Sequence, residues 1–146
     1  YRCGKKISLF LRIQGERELN YVTDTHSLIW YFTDDQHLSK KALKSFEGTV
    51  KEGQIVVPAV VLAEILFIAK KGRIPLGFTT TVAKIEALAN FEIAPLDLDV
   101  LKIAESIAAP LEMHDKLIVA TAIRYDACLI TRDEQITKSK VVKTIW

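Results

Sequence analysis

Apolar and polar positions change their period along the chain. From Tyr21 onward, short β-rich apolar runs alternate with longer stretches in which apolar residues recur every three or four positions. The short runs predict strands at Leu19–Thr23, Gln54–Val57, Phe91–Leu96 and Cys128–Thr131, with a weaker fifth over Val141–Ile145. The longer stretches predict helices over Ser27–Phe32, Ser39–Lys51, Val60–Lys71, Thr79–Ala89, Val100–Ala108 and Lys116–Tyr125. Ser39 and Asp115 stand where N-caps belong, and Gly48, Gly53 and Gly72 where helices stop or the chain turns. Such alternation implies an α/β protein built on a parallel sheet. No internal repeat or Ser/Gly linker divides it, so one domain is expected over residues 20–146. Residues 1–19 read as a leader or an extraneous segment, and nothing functional is rested on them.

Composition narrows the class. With 146 residues, 49% hydrophobic and 26% charged, the chain can bury a core without disulfide or metal staples. Twenty Lys and Arg against 18 Asp and Glu give a net charge of +2, too small for phosphate binding by bulk charge. Nucleic-acid contact would need local clusters. Two cysteines, Cys3 and Cys128, offer neither a disulfide framework nor a zinc spacing, and a reducing cytoplasm fits. The longest apolar stretch, Ile55 to Ala69, is broken by Pro58 and Glu64 and is too short for a membrane span. Lys5 and Lys6 ahead of Ile7–Leu11 mimic a signal peptide, but the apolar core is too short and no cleavage site follows.

Candidate chemistry lies where strands end. In an open parallel sheet, strand C-termini and the helices after them share an edge where ligands collect. Asp24 follows the first strand, Glu64 lies about one turn into the helix after Val57-Pro58, Asp115 opens a helix, and Asp133 follows the strand Leu129-Ile130-Thr131. Asp24, Asp115 and Asp133 each have a bland reading as helix caps or turn acids. Glu64 interrupts an apolar run where an unpaired carboxylate is costly, and its bland reading is an ion pair with Lys70, Lys71 or Arg73. Asp97 and Asp99 compete for the same edge but read as an ordinary helix start.

Carboxylates brought within about 4 Å repel by about 4 kcal/mol per pair at an effective dielectric of about 20, unless a proton or cation intervenes. All-oxygen ligands select Mg²⁺ or Mn²⁺ over zinc and suit phosphodiester hydrolysis. His26, His37 and His114 pair at no catalytic or metal spacing and read as packing or capping residues, His114 being the one to watch beside Asp115. Thr25 and Ser27 lack the His and Asp of a hydrolytic triad, and no Gly-rich phosphate loop occurs. Positive charge near the edge comes from Lys70, Lys71, Arg73, Lys116 and Arg132, with Lys138 and Lys140 farther along. Arg132, beside Asp133, is best placed to reach a substrate phosphate.

Taken in order, Val22-Thr23-Asp24-Thr25-His26-Ser27-Leu28-Ile29-Trp30, Asp34 to Ser39, Val57-Pro58 to Glu64-Ile65, Lys71 to Leu76, His114 to Ala122 and Leu129 to Asp133 resemble the motifs of PIN-domain proteins of the VapC toxin type. The resemblance covers residues 20–146 and extends to a closing strand over Val141–Trp146. It implies a PIN-like three-layer α/β/α domain with a mostly parallel sheet of four to five strands. It implies a Mg²⁺- or Mn²⁺-dependent endoribonuclease, the toxin of a toxin–antitoxin pair, with Asp24, Glu64, Asp115 and Asp133 as the acidic quartet. Asp24, Asp115 and Asp133 would then hold the metal, Thr25 and Thr131 would support the site, and Arg132, Lys116, Lys71 and Arg73 would meet RNA. A VapB-like antitoxin and a homodimer are the implied partners. One departure is Glu112-Met113-His114-Asp115-Lys116 where relatives usually read Asp-Pro-x-Asp-Arg, since Lys cannot make Arg's bidentate fork. The competing reading is a non-catalytic acidic-pocket module, a degenerate PIN or receiver-like domain. Against a degenerate domain, none of the four acids is lost; against a receiver, only one acid follows the first strand.

Overall fold

The computed structural model describes residues 19–146. Residues 1–18 of the expected leader, Cys3 among them, lie outside the described residues, while Leu19 already belongs to the first strand. Five strands, β1 (Leu19–Thr23), β2 (Gly53–Pro58), β3 (Phe91–Ala94), β4 (Cys128–Ile130) and β5 (Thr144–Ile145), form one sheet in the order β3-β2-β1-β4-β5. Every pairing is parallel. Seven helices accompany them among the described residues: α1 (Thr25–Phe32), α2 (Lys40–Glu52), α3 (Ala59–Lys70), α4 (Phe78–Ala87), α5 (Leu98–Ser106), α6 (Met113–Arg124) and α7 (Glu134–Ser139). None is long and apolar enough to cross a membrane.

The central strands are apolar on both faces because helices cover both. Val22, Ile55, Val56, Val57, Leu129 and Ile130 are all buried, as all-parallel sheets require. In register, Val22 stands beside Val56 on one side and Leu129 on the other. Gly53 opens β2 opposite Leu19, and a Cβ there would run into the Leu19 carbonyl. Gly72, at φ 67°, supplies the left-handed turn after α3.

The parallel α/β expectation holds, and the boundary shifts have physical causes. The third strand stops at Ala94 instead of Leu96, since Pro95 has no amide to continue the ladder. Gly48 was expected to stop a helix; it lies exposed inside α2, which runs on to Glu52. The fifth strand keeps only Thr144–Ile145. Ahead of it lies α7, six residues long and too short for a helical period to show. The shift that matters most is in α6. It begins at Met113, so Asp115 is not its cap but part of its first turn. Glu112 takes the N-cap position, with no side-chain capping bond.

Candidate functional site

The strand order places the site. From β1 the chain steps outward on one side to β2 and β3, then returns past β1 to β4 and β5, so the order reverses between β1 and β4. Loops leaving the carboxyl ends of these neighbours diverge and open a crevice. A cavity of about 390 Å³ sits there, lined by Asp24, Glu64, Glu112, Asp115 and Asp133 together with Thr25, His26, Trp30, Ile118 and Arg132.

Asp24 enters from the end of β1, its amide donating to the Ile130 carbonyl at 3.3 Å and so tying β1 to β4. Its Oδ1 accepts from the Ser27 amide at 2.9 Å, and Asp133 Oδ1 accepts from the Ile136 amide at 2.9 Å. Both acids therefore cap a helix and line the cavity, each engaging a single oxygen in the cap. Thr131 Oγ1 accepts the Asp133 amide at 3.0 Å and fixes the turn after β4. Glu64 stands half-buried in α3. It forms no ion pair with Lys70, Lys71 or Arg73 among the described residues, and none of the five cavity carboxylates is paired with a Lys or Arg there.

Crowding shows in Asp115. Its carboxyl is pushed up from 3.8 to about 6, first by burial and then by the charges of Asp133, Glu112, Glu64 and Asp24. Burial and like charge act in the same direction on a carboxylate, and among the described residues no Lys or Arg pairs with Asp115 to oppose them. Thr25 adds a second unmet demand. Its hydroxyl is buried on the cavity wall and has no hydrogen-bond partner among the described residues.

The expected cations divide. Arg132 lines the cavity. Lys116 donates its Nζ to the Ile107 carbonyl at 3.2 Å instead. Lys71 and Arg73 are exposed past the end of α3, outside the cavity lining and about 10 Å along the helix from Glu64 by the helical rise. Asp97 caps α5, accepting from the Val100 amide at 3.0 Å, as the ordinary helix start it was read to be. Among the histidines, His26 lines the cavity and His114 does not. Glu112, His26 and Trp30 were missed by sequence reasoning. The first could have been found three residues before Asp115, at the leading acid of the relatives' motif; His26 and Trp30 lie four apart, one turn of one helix.

Among the described residues no three His, Cys, Asp or Glu side chains stand together as a finished metal-ligand cluster. What the cavity offers is a set of unneutralised hard oxygens and one orphaned hydroxyl, a donor chemistry that fits a hard divalent cation in kind.

Comparison with known proteins agrees with this architecture. A family model for the PIN domain matches residues 21–141. No curated protein matches the sequence significantly. VapBC2 from Rickettsia felis, solved bound to a promoter DNA fragment, is similar at a TM-score of 0.65 and 16% identity, over 86% of this chain and 97% of that one. A toxin–antitoxin complex from Klebsiella pneumoniae is similar at 0.60 and 22%, over 84% and 94%. DNA-bound VapBC from Salmonella typhimurium is similar at 0.62 and 17%, over 86% and 96%. At these identities the likeness is one of fold.

Proposed function

We propose that this chain, which belongs to the PIN-domain family, is a metal-dependent endoribonuclease and the VapC-type toxin of a toxin–antitoxin pair. PIN domains are generally nucleases that use divalent metals. The observation that carries the reading is the convergence of five unneutralised carboxylates on one cavity, with Asp115 driven to about 6 by burial and its acidic neighbours.

Asp24, Asp115 and Asp133 would hold Mg²⁺ or Mn²⁺. A hard divalent cation, when bound, supplies Lewis acidity at a phosphoryl oxygen and a water acidic enough to attack at neutral pH. The chain's own residues do the rest. The caps made by Asp24 and Asp133 fix their backbones, so each presents its carboxylate from a rigid turn. Thr131 holds the Asp133 turn through its hydroxyl. Glu64 and Glu112, on the wall made by α3 and the start of α6, accept hydrogen bonds from water entering the cavity. The Thr25 hydroxyl is a buried donor with no acceptor among the described residues. Arg132 brings positive charge to the mouth, where a substrate phosphate would enter.

Similarity to a toxin–antitoxin complex supports a VapB-like partner for this chain, and the acidic cavity is the face such a partner would cover. A homodimer belongs to the same reading, and size-exclusion chromatography with light scattering tests it. A second reading, a PIN domain that binds RNA or protein without cutting it, is favoured by the lack of a finished ligand cluster among the described residues. One experiment separates the two. Purified protein is incubated with mixed RNA, with Mn²⁺ or with chelator, beside the Asp24→Asn variant. Cleavage that needs Mn²⁺ and vanishes in the variant is expected. RNA left intact by the wild type under every metal condition supports the binding module, and cleavage surviving in Asp24→Asn rejects this cavity as the active site.

A further inference from the structure

Beyond the carboxylates, the cavity has a second wall made of planar groups. Trp30 lines it from α1. Around the Trp30 ring gather the Arg132 guanidinium at 4.7 Å, the His37 ring stacked at 5.4 Å and 23°, the His26 ring at 5.6 Å and the Trp146 ring at 5.9 Å. The loop after α1 is folded back to build this. Asp34 adopts a left-handed φ of 52°, and the Asp35 amide donates to the Trp30 carbonyl at 2.9 Å. Asp35 Oδ1 then accepts the His37 amide at 2.8 Å and lies 2.6 Å from His37 Nδ1, which holds the imidazole on the indole.

Packing alone does not account for the cluster's make-up. His26, His37 and Arg132 are exposed, and Trp30 and Trp146 are half-buried. Arg132 has no carboxylate partner among the described residues and spends its planar face on Trp30. An exposed assembly of rings and one guanidinium, joined to a cavity of acids, has the chemistry of a single-strand nucleic-acid platform. Planar side chains stack bases, and arginine serves both base faces and phosphates.

We infer that this cluster is a nucleobase subsite: an unpaired base beside the scissile phosphate stacks on the exposed planes of His26, His37 and Arg132, with Trp30 as their fixed backing. The inference rests on the nuclease reading and adds to it the residues that hold the base next to the cleaved bond. A base within a duplex has no free face to offer.

The test uses the chain's only two tryptophans, Trp30 and Trp146. Both belong to the cluster, so tryptophan emission, excited at the red edge where the four tyrosines do not absorb, reports on it. Full-length protein in chelator, where cleavage does not interfere, is titrated with a single-stranded RNA of about ten nucleotides, the span of an ordinary single-strand site. The same strand annealed to its complement and the same strand carrying abasic sites are titrated beside it. Quenching by the intact single strand is expected, with the duplex and the abasic strand binding roughly tenfold more weakly, within the range of one stacked base.

Trp30→Phe should keep binding and Trp30→Ala should lose roughly tenfold. Because Trp30 is half-buried, the exposed His37→Ala variant carries the same test without a folding risk, whereas Arg132→Gln also removes a phosphate contact and should weaken both strands, the intact one more. His37→Ala should weaken the intact strand and leave the abasic strand closer to wild type. Equal binding of intact and abasic strands, or no quenching by any RNA, overturns the subsite and points to a protein segment as the occupant. Quenching that depends on bases in a protein that cuts no RNA leaves the subsite standing while the nuclease reading falls. Cleavage without base dependence does the reverse.

Discussion

Two stretches of the sheet's carboxyl edge carry the same local chemistry and come to different ends. At its centre, Asp24 follows β1 and Asp133 follows β4; at its outer side, Asp97 follows β3. Each caps the next helix by accepting from the amide three residues on, at 2.9, 2.9 and 3.0 Å respectively. Yet Asp24 and Asp133 line the cavity, and Asp97 does not. The difference lies in the neighbours. β1 and β4 are paired at the point where strand order reverses, while β3 is outermost in the sheet. A capping acid becomes a site residue when the fold sets other acids across from it, and its own hydrogen bond carries no sign of this.

The strongest way to break that comparison is to neutralise one acid from each stretch. Asn still caps a helix, so Asp24→Asn and Asp97→Asn both keep the local fold while removing a charge. Asp24→Asn should lower the initial rate of Mn²⁺-dependent RNA cleavage by on the order of a hundredfold or more, the scale of losing one electrostatic contact to a reacting centre. Asp97→Asn should stay within about twofold. Similar losses in both would mean that the cavity does not set them apart.

A smaller effect sharpens the boundary of the central group. Glu112 is exposed, makes no capping bond and raises Asp115 through its charge. Glu112→Gln should reduce cleavage by about tenfold, as loss of an outer partner of a metal site does. It should also increase the Mn²⁺ concentration needed for half-maximal rate. A rate unchanged at limiting Mn²⁺ would place Glu112 with Asp97, as an acid of the rim only.

Much of the central group was legible because its acids interrupt strong patterns. Asp24 and Asp133 end β-rich runs, and Glu64 breaks an apolar helix where a carboxylate needs a reason. The parallel sheet followed from the same alternation. Glu112 and Trp30 were not legible, for two physical reasons. A cap signal at Asp115 outweighed the weaker start at Glu112, shifting the helix by three residues and hiding the acid at its N-cap. Trp30 sits in an apolar stretch beside Tyr31 and Phe32, which do join the core side, Tyr31 stacking on Phe46 at 4.3 Å. Periodicity in so short a helix does not reveal that one aromatic of three turns to the cavity. Strand order is a tertiary property, and with it goes the distinction between Asp97 and Asp24.

The smallest expected effects have opposite signs at the two places and are read in the metal-free protein. Asp97→Ala removes a cap and should destabilise by about 1 kcal/mol. Asp115→Asn should do the opposite at neutral pH. The Asp115 carboxyl stands at about 6 when folded against 3.8 ordinarily, so the folded chain binds its proton more tightly than the unfolded chain. The stability this gives is fully present below about 4, is lost as pH rises from about 4 to about 6, and is absent above that. Conversion of the whole shift gives about 3 kcal/mol, and solvent around a half-exposed group screens this to about 1 kcal/mol. In chelator at pH 7.5, Asp115→Asn should therefore raise the melting temperature by roughly 4 °C. Near pH 4 its margin over wild type should shrink towards zero. Added Mn²⁺ should stabilise the wild type and the Asp97→Ala variant alike, and Asp115→Asn less. A melting temperature for Asp115→Asn at or below that of wild type at pH 7.5 would show that the acids of the cavity do not repel one another in the folded chain.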